Sequence, residues 1–325
     1  MELKATPKSN SPRTEQRRLW EEAIKWPIYS IAAMPILLAT GLTIGTGKII
    51  RWDQLVGFLV ASILLLVWEN LSNDLYDADT GVDALIKPHS IVALVSNRKI
   101  INYISFFSLG LGLFIIFQLA QRSSPFVLYL VLGCCLIGYL YQGPPFRLGY
   151  KTLGEPLCWI AFGPLATAAS LLVISPLNNN IGSNNIPWKS AIALGSGPAL
   201  ATTLVLFCSH FHQVSEDKAN GKISPIVLLG TKQAANLVPL FIVLTLVLEW
   251  VNIIQNAWPI TSLLGVIGLP AGFALIRLVK KYHNKPNIIR KSKFLALRFQ
   301  VLNGFGLSLG LALGRLYESN PTTPF

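Results

Sequence analysis

The sequence predicts an all-helical protein that crosses a membrane several times. Of its 325 residues, 52% are hydrophobic and 13% are charged, whereas about 25% of residues are charged in a typical soluble domain. The mean hydropathy is +0.52. Apolar stretches of roughly 20 residues, the length that spans the hydrocarbon of a bilayer, recur along most of the chain. These observations predict an integral, multi-pass membrane protein.

We predict nine transmembrane helices, of which the fourth is the shortest. They cover residues 26–46, 55–73, 100–119, 125–141, 156–174, 190–209, 234–254, 258–279 and 294–314. Residues 1–25 are polar and lack the apolar core of a signal peptide, so we expect a short cytoplasmic tail. The helices then form one domain over 26–316, and 317–325 form a C-terminal tail.

The positions of the basic residues predict the orientation of this domain. Lys and Arg collect on the cytoplasmic side of membrane proteins. With a cytoplasmic N-terminus, 22 of the 27 basic residues fall in segments that face inward. The net charge of +12 therefore reflects topology and attraction to anionic lipid, and it does not require a nucleic-acid partner. The sequence does not show whether the chain has a protein partner.

A cluster of acids follows the second apolar stretch, in the segment NDLYDADTGVD (73–83). Ionisable groups near a membrane are costly and are usually functional. Asn70, Asn73 and Asp77 stand at i, i+3 and i+7, so they share one face if the helix continues to that point. Asp83 follows Gly81 and can turn back toward them.

A second set of polar residues appears when the sequence is shifted by 140 positions. The shift aligns Asn70 with His210, Asn73 with Gln213, Asp77 with Asp217, and Gly81 with Gly221. Downstream, SIVAL (90–94) resembles SPIVLL (224–229). This pattern indicates an internal repeat, with motifs near 70–94 and 210–229. Both motifs follow helices that end on the inner side, so we expect them to lie on the same membrane face.

The composition of the two motifs predicts a magnesium-dependent diphosphate site. Carboxylate and amide oxygens without thiols suit Mg²⁺, which binds one or two carboxylates together with phosphate oxygens. Basic residues lie nearby in the sequence. They are Lys87, Arg98, Arg147, Lys151, Lys218 and Lys222. A diphosphate whose other end lies in a membrane is an isoprenoid diphosphate.

These residues carry a resemblance to the UbiA-type intramembrane aromatic prenyltransferases. The quinone branch of that family has a first motif of the form N-x-x-x-D-x-x-x-G-x-D, which Asn73, Asp77, Gly81 and Asp83 match. YLYQGPPFRLGYKTLGEPLCWIAFGPLA (139–166) is similar to the family's segment between helices four and five. The resemblance covers most of residues 25–315, and it implies a UbiA-like bundle of nine helices with two Asp-rich motifs on internal loops.

Within the family, FHQV, DKANGKISPIVLLGT and YQGPPFRLGYKTLGEP most resemble cyanobacterial and plastid members. Those members transfer a phytyl group from phytyl diphosphate to 1,4-dihydroxy-2-naphthoate. The resemblance implies the same reaction here, with loss of CO₂ and a demethylphylloquinone-type product. It also implies a cyanobacterial plasma or thylakoid membrane, with the active site on the cytoplasmic face.

The resemblance assigns roles to particular residues. It implies metal ligation by Asn73, Asp77, Asp83, Gln213, Glu216 and Asp217. It implies catalytic roles for Asn73, Asp77, Asp83, Asp217 and Tyr141, and substrate binding by Asn70, Lys87, Tyr139, Arg147, Lys151, Gln213 and Lys222. Aromatic side chains would present π faces to a cation, namely Trp68, Tyr139, Tyr141 and Tyr150. Arg147 or Lys151 would meet either the acceptor carboxylate or the diphosphate.

The second motif departs from the family pattern. Relatives usually have D-x-x-x-D, whereas Gln213 occupies the first position here. A neutral amide offers an oxygen but no charge, so Glu216 or His212 would have to compensate. The usual GKRT is GKIS here, with Ile223 in place of a base.

Other interpretations remain open at this stage. A related prenyltransferase would use homogentisate, chlorophyllide or a longer polyprenyl chain. A secondary transporter would place its polar site near the membrane midplane. His210 and His212 lack a third zinc ligand, and Glu155 suits the N-terminus of a helix. We expect Glu249, near the outer end of the seventh helix, to be interfacial.

Overall fold

Each of the nine predicted apolar stretches is helical in the computed structural model, which describes residues 26–80, 91–95, 97–175 and 185–317. The long helices are α1 (Ser30–Gly45), α2 (Trp52–Thr80), α3 (Arg98–Arg122), α4 (Phe126–Gln142), α5 (Gly154–Ile174), α6 (Trp188–Ser209), α7 (Thr231–Ile254), α8 (Ile260–Tyr282) and α9 (Ser292–Tyr317). Shorter helical segments cover Trp26–Tyr29, Ile91–Leu94, Leu148–Tyr150, His210–His212, Val214–Ala219, Pro225–Leu229 and Pro286–Ile289. The described residues contain no β-strand, so the all-helical prediction is confirmed.

The chain is an integral membrane protein. Eight helices among the described residues are long and apolar enough to cross a membrane. The remaining long helix, α4, is apolar but has only 17 residues. Large apolar side chains such as Phe106, Phe107 and Phe114 are more than half exposed on α3, and apolar surface of this kind is stable against lipid.

Helix α2 extends seven residues beyond its predicted end at residue 73. Leu71 and Leu75 are buried with Ile101 of α3 in a small apolar cluster. The hydroxyl groups of Ser72 and Ser105 lie 3.0 Å apart in the same buried contact. These contacts hold the last turns of α2 against α3, so the first motif is carried on a continuous helix through residue 80.

Helix α9 packs against α1, α6 and α8. Its glycines allow a close approach to α8, because a Cβ at Gly306 would lie 2.2 Å from the carbonyl oxygen of Leu264. One large buried cluster includes residues of α1, α2, α4 and α5. A second joins α6 to α7, α8 and α9.

Glu249 lies in the protein interior, contrary to the prediction that it is interfacial. Its side chain is only 2% exposed. The Nδ2 atom of Asn303 donates a hydrogen bond to Glu249 Oε2 at 3.1 Å. Gly197 and Gly265 face this carboxyl group, and a Cβ on either residue would come within about 3.0 Å of the Glu249 side chain. The absence of side chains at these glycines lets α6 and α8 close around Glu249.

Candidate active site

A cavity of about 360 Å³ runs between α1, α2, α4, α5 and α6. One end, which we call the polar end, is lined by Asn73, Asp77, Gln142, His210, Gln213 and Lys222. The rest of the wall is mainly apolar and includes Ile36, Phe58, Leu66, Val131 and Ala166. Phe58 precedes Asp77 by 19 positions on α2, which corresponds to about 28 Å along a helix. The cavity therefore joins a charged end to a long apolar chamber.

The first motif presents its polar face to this cavity. Asn70, Asn73 and Asp77 all line it from α2, as their i, i+3, i+7 spacing predicts. Asp77 is 6% exposed. Its Oδ1 atom accepts a hydrogen bond from the Tyr150 hydroxyl at 2.8 Å and another from Gln142 Nε2. Two donors from other segments thus hold the carboxylate of the first motif in place.

Two further acids of the first motif have different surroundings. Asp74 is buried and accepts a hydrogen bond from the backbone N–H of Ile91 at 3.4 Å. Asp79 forms a half-exposed ion pair with Arg98, with 2.6 Å between oxygen and nitrogen. Asp79 and Arg98 are not among the residues that line the cavity.

The loop after α4 arranges its aromatic residues around the polar end. The Tyr139 hydroxyl donates a hydrogen bond to the carbonyl oxygen of Pro144 at 2.6 Å, so this side chain closes the turn. Tyr141 instead lines the cavity. Its ring lies against Gly149 and Gly154, where a Cβ would come within 2.7 Å of Tyr141 Cε2. These glycines allow the Tyr141 ring to fit between the loop and the first turn of α5.

The second motif lies where α6 ends. The helix stops at Ser209, a 3-10 turn covers His210–His212, and a short helix covers Val214–Ala219. Asp217 is 1% exposed. Lys222 Nζ lies 3.8 Å from Asp217 Oδ1, and His210 Nδ1 lies 3.4 Å from Asp217 Oδ2. The second carboxylate is therefore buried between a lysine and a histidine.

His210 also connects the second motif to α5. Its Nε2 atom lies 4.0 Å from Oε1 of Glu155. Glu155 is in the first turn of α5, as its sequence context predicts, and it is 8% exposed. His210 thus lies between two carboxylates, with Asp217 on one side and Glu155 on the other.

Tyr150 links the two motifs. Its hydroxyl reaches Asp77, while its carbonyl oxygen accepts a hydrogen bond from the backbone N–H of Ile223 at 2.9 Å. Lys222, which faces Asp217, places its Nζ atom 5.3 Å from the centroid of the Tyr150 ring. A short chain of contacts therefore joins Asp77 to Asp217, and both motifs contribute to the same end of the cavity.

The predicted site residues fall into three groups. Those that line the cavity are Asn70, Asn73, Asp77, Tyr141, Gln213 and Lys222. Those near the site but outside the cavity lining are Tyr139, Arg147, Lys151, Glu216 and Asp217. Asp83 and Lys87 lie outside the described residues. Arg147 lies 5.9 Å from the Tyr150 ring centroid, and Lys151 is exposed.

Several cavity residues were not assigned from the sequence. Gln142 is a polar residue at the end of the apolar helix α4, and this position in the sequence could have indicated a role in the site. Lys293 lines the cavity from the first turn of α9, but it belongs to a basic segment attributed to topology. Glu69 also lines the cavity. Its neighbour Asn70 was assigned to the site, but the sequence did not predict that the Glu69 side chain also faces the cavity.

The donor set at the polar end fits magnesium. No group of three or more His, Cys, Asp and Glu side chains among the described residues is arranged to hold a metal unaided. Asn73, Asp77 and Gln213 line the polar end, and Asp217 is buried behind it, 3.8 Å from Lys222 Nζ. Together they offer two carboxylates and two amide oxygens, and phosphate oxygens from a substrate would complete the shell of Mg²⁺. A zinc pair is not favoured, because both ring nitrogens of His210 face carboxylates.

Comparison with known proteins identifies the family of the chain. Residues 32–298 match the model of the UbiA prenyltransferase family. The chain is 37% identical over 306 residues to the 2-carboxy-1,4-naphthoquinone phytyltransferase of Synechocystis sp., with 93% of this chain and 95% of the relative covered. It is 38% identical to the chloroplastic enzyme of that name from Arabidopsis thaliana, with 91% and 77% covered.

A solved structure shares the fold. The UbiA homologue from Archaeoglobus fulgidus bound to GPP and Mg²⁺ superposes with a TM-score of 0.52 at 18% identity, covering 89% of this chain and 99% of the homologue. The family model covers most of the chain, and the two phytyltransferases match it over nearly its full length. The chain belongs to the UbiA prenyltransferase family.

Proposed function

We propose that the chain transfers a phytyl group from phytyl diphosphate to 1,4-dihydroxy-2-naphthoate with loss of CO₂, giving a demethylphylloquinone-type product. The observation that carries this proposal is the cavity, which joins a polar end lined by residues of both motifs to a long apolar chamber. The names of the two phytyltransferase relatives support the donor and the ring system. We assign the reduced acceptor, because the electron-rich hydroquinone ring can attack a carbocation, whereas the electron-poor quinone ring cannot.

The polar end would bind the diphosphate and the chamber would bind the phytyl chain. Asn73, Asp77, Gln213 and Asp217 would hold Mg²⁺, which when bound neutralises charge on the departing diphosphate. Lys222 provides a further positive charge, and it is buried at this end of the cavity. The apolar wall excludes water, which would otherwise capture the cation.

The transfer step needs no base to remove a ring proton, because CO₂ leaves from the ring carbon that is attacked. The C–O bond of the donor breaks, and its electron pair leaves with the diphosphate. The ring carbon that carries the carboxylate forms the new bond to C1 of the phytyl group. CO₂ then leaves, and the electrons of its bond restore the aromatic ring. Tyr141 and Trp68 line the cavity and would present π faces to the developing positive charge.

The proposed topology has nine spans and a cytoplasmic N-terminus, with α4 as the shortest span. The ends of α2 at Thr80 and of α6 at Ser209 would then lie on the cytoplasmic side, together with the polar end of the cavity. The relatives from a cyanobacterium and a chloroplast support a plasma or thylakoid membrane. We also infer that residues 26–316 form one catalytic domain with an internal repeat.

The test is a product assay with purified protein, Mg²⁺, phytyl diphosphate and 1,4-dihydroxy-2-naphthoate, read by mass spectrometry. We expect the decarboxylated phytyl adduct. Asp77→Ala should abolish product formation, whereas Asp79→Ala, on the same helix but in a surface ion pair, should keep it. Full turnover by a folded Asp77→Ala protein would contradict the site. Preference for homogentisate, chlorophyllide or a longer donor would identify a related prenyltransferase instead.

A further inference from the structure

Glu69 places a carboxylate in the cavity wall directly before the first motif. It lines the cavity together with Asn73 and Asp77. The three residues stand at i, i+4 and i+8 on α2, so they follow one face of the helix. Glu69 lies about 12 Å along the helix from Asp77, toward the apolar chamber. An ionisable residue at such a depth is costly and points to a function.

The surroundings of Glu69 leave space for a flat aromatic ligand. Trp68 and Tyr141 line the same cavity. Gly138 of α4 faces Glu69 and Trp68, and a Cβ at position 138 would lie 3.7 Å from Glu69 Cγ and from Trp68 Cζ3. The absence of a side chain at Gly138 widens the cavity beside the carboxylate. This region therefore combines aromatic walls, space beside Gly138 and the carboxylate oxygens of Glu69.

We propose that Glu69 binds the aromatic acceptor by accepting a hydrogen bond from a ring hydroxyl group. The inference rests on the proposed function and deepens it by locating the acceptor. A donor with its diphosphate at the polar end would place its reactive carbon just inside that end, so the acceptor ring lies between Asp77 and Glu69. A dihydroxylated ring is the class of ligand that offers hydrogen-bond donors at this position.

Charge determines the orientation of the acceptor. The basic residues that line the cavity among the described parts of the chain are Lys222 and Lys293, with His210 and His212. All four belong to segments at the polar end. The acceptor carboxylate is repelled by Glu69 and attracted to these bases. It therefore faces the polar end, and the hydroxyl group farther from the carboxylate, at ring position 4, faces Glu69.

The experiment compares two acceptors in the purified, full-length protein. One is 1,4-dihydroxy-2-naphthoate, and the other is 1-hydroxy-2-naphthoate, which lacks the hydroxyl at position 4. That hydroxyl is meta to the attacked carbon, so its removal chiefly tests binding. We expect wild-type kcat/KM to fall about 10- to 100-fold with the monohydroxy acceptor, as expected for loss of a hydrogen bond to a charged group. In Glu69→Leu, the two acceptors should differ by less than about 3-fold.

The donor KM and the Mg²⁺ concentration for half-maximal rate should not change in Glu69→Leu. Asp79→Asn, which alters an acid of the same helix outside the cavity, should keep the wild-type preference. Glu69→Gln retains an acceptor oxygen and should show an intermediate preference, which serves if the leucine variant does not fold. The inference is overturned if folded Glu69→Leu keeps the wild-type ratio of kcat/KM between the two acceptors, including the case in which kcat/KM falls by the same factor for both. Failure of wild type to use either acceptor would instead refute the proposed function.

Discussion

Tyr150 is a single residue that contacts both halves of the site. Its hydroxyl group donates to Asp77, and its ring lies beside Lys222, which faces Asp217. A phenylalanine at position 150 would keep the ring and remove only the hydrogen bond. The hydrogen bond orients the Asp77 carboxylate, so its loss should weaken the magnesium-dependent binding of the diphosphate.

We therefore predict that Tyr150→Phe lowers the transfer rate roughly 10-fold, the effect of losing a hydrogen bond to a charged group. The Mg²⁺ concentration for half-maximal rate should rise, whereas the acceptor KM should stay the same. Tyr129→Phe is the matched control, because Tyr129 is 66% exposed on the outside of α4. An unchanged Mg²⁺ dependence in Tyr150→Phe would contradict the role assigned to the hydroxyl group.

The sequence predicted some residues of the site and missed others. The spacing of Asn73 and Asp77, and their alignment with Gln213 and Asp217, predicted two polar clusters on one side of the membrane. Gln142 was not predicted as a donor to Asp77, because it lies 65 positions away and no local pattern relates the two side chains.

At the scale of elements, the two motifs differ in backbone structure. The first lies on the continuous helix α2, whereas the second follows a break in which α6 gives way to His210–His212 and then Val214–Ala219. The sequence alignment at a spacing of 140 did not predict this difference. After the break, Asp217 faces His210, while α2 stays helical because its last turns pack against α3.

A second feature at this scale is the close contact between α5 and α6. Residues Ala161–Leu165 of α5 form a π-helical turn that contains Pro164, which has no backbone N–H to donate. Gly195 of α6 meets this turn, and a Cβ there would lie 2.8 Å from the carbonyl oxygen of Gly163 and 2.6 Å from Thr167 Oγ1. The cavity wall formed by α5 depends on this contact.

We predict that Gly195→Ala destabilises the folded protein by about 1–3 kcal/mol, because the added methyl group overpacks the contact. Thermal unfolding in detergent, followed by tryptophan fluorescence, should show a lower midpoint. Gly110→Ala in α3 is the control, because a Cβ there meets nothing within 4 Å. Equal midpoints for the two variants would contradict the packing argument.

At the scale of the whole molecule, the distribution of charge predicts the orientation in the membrane. Lys189 begins α6 and Lys218 follows its other end, and both side chains are exposed. The 22 residues of α6 span about 33 Å, which is the thickness of the bilayer hydrocarbon. The two lysines should therefore lie on opposite sides.

Single cysteines at these positions would test the orientation. In sealed vesicles with the cytoplasmic face inside, a membrane-impermeant maleimide should label Lys189→Cys and should not label Lys218→Cys until the vesicles are opened. The unmodified protein reports the background from the four native cysteines, which are buried or half-buried. Labelling of both variants in sealed vesicles would contradict the topology.

From the sequence alone we could predict the membrane class, the helical segments, the family and the positions of the two acidic motifs. These properties follow from local features, namely apolar length, the sign of charge and short spacings. Three-dimensional packing was needed to show that Gln142 and Tyr150 meet Asp77, that Glu69 lines the cavity, and that Glu249 is buried. Each of these contacts depends on how a helix is rotated against its neighbours. Close glycine contacts and the packing of distant segments determine that rotation, and hydropathy does not.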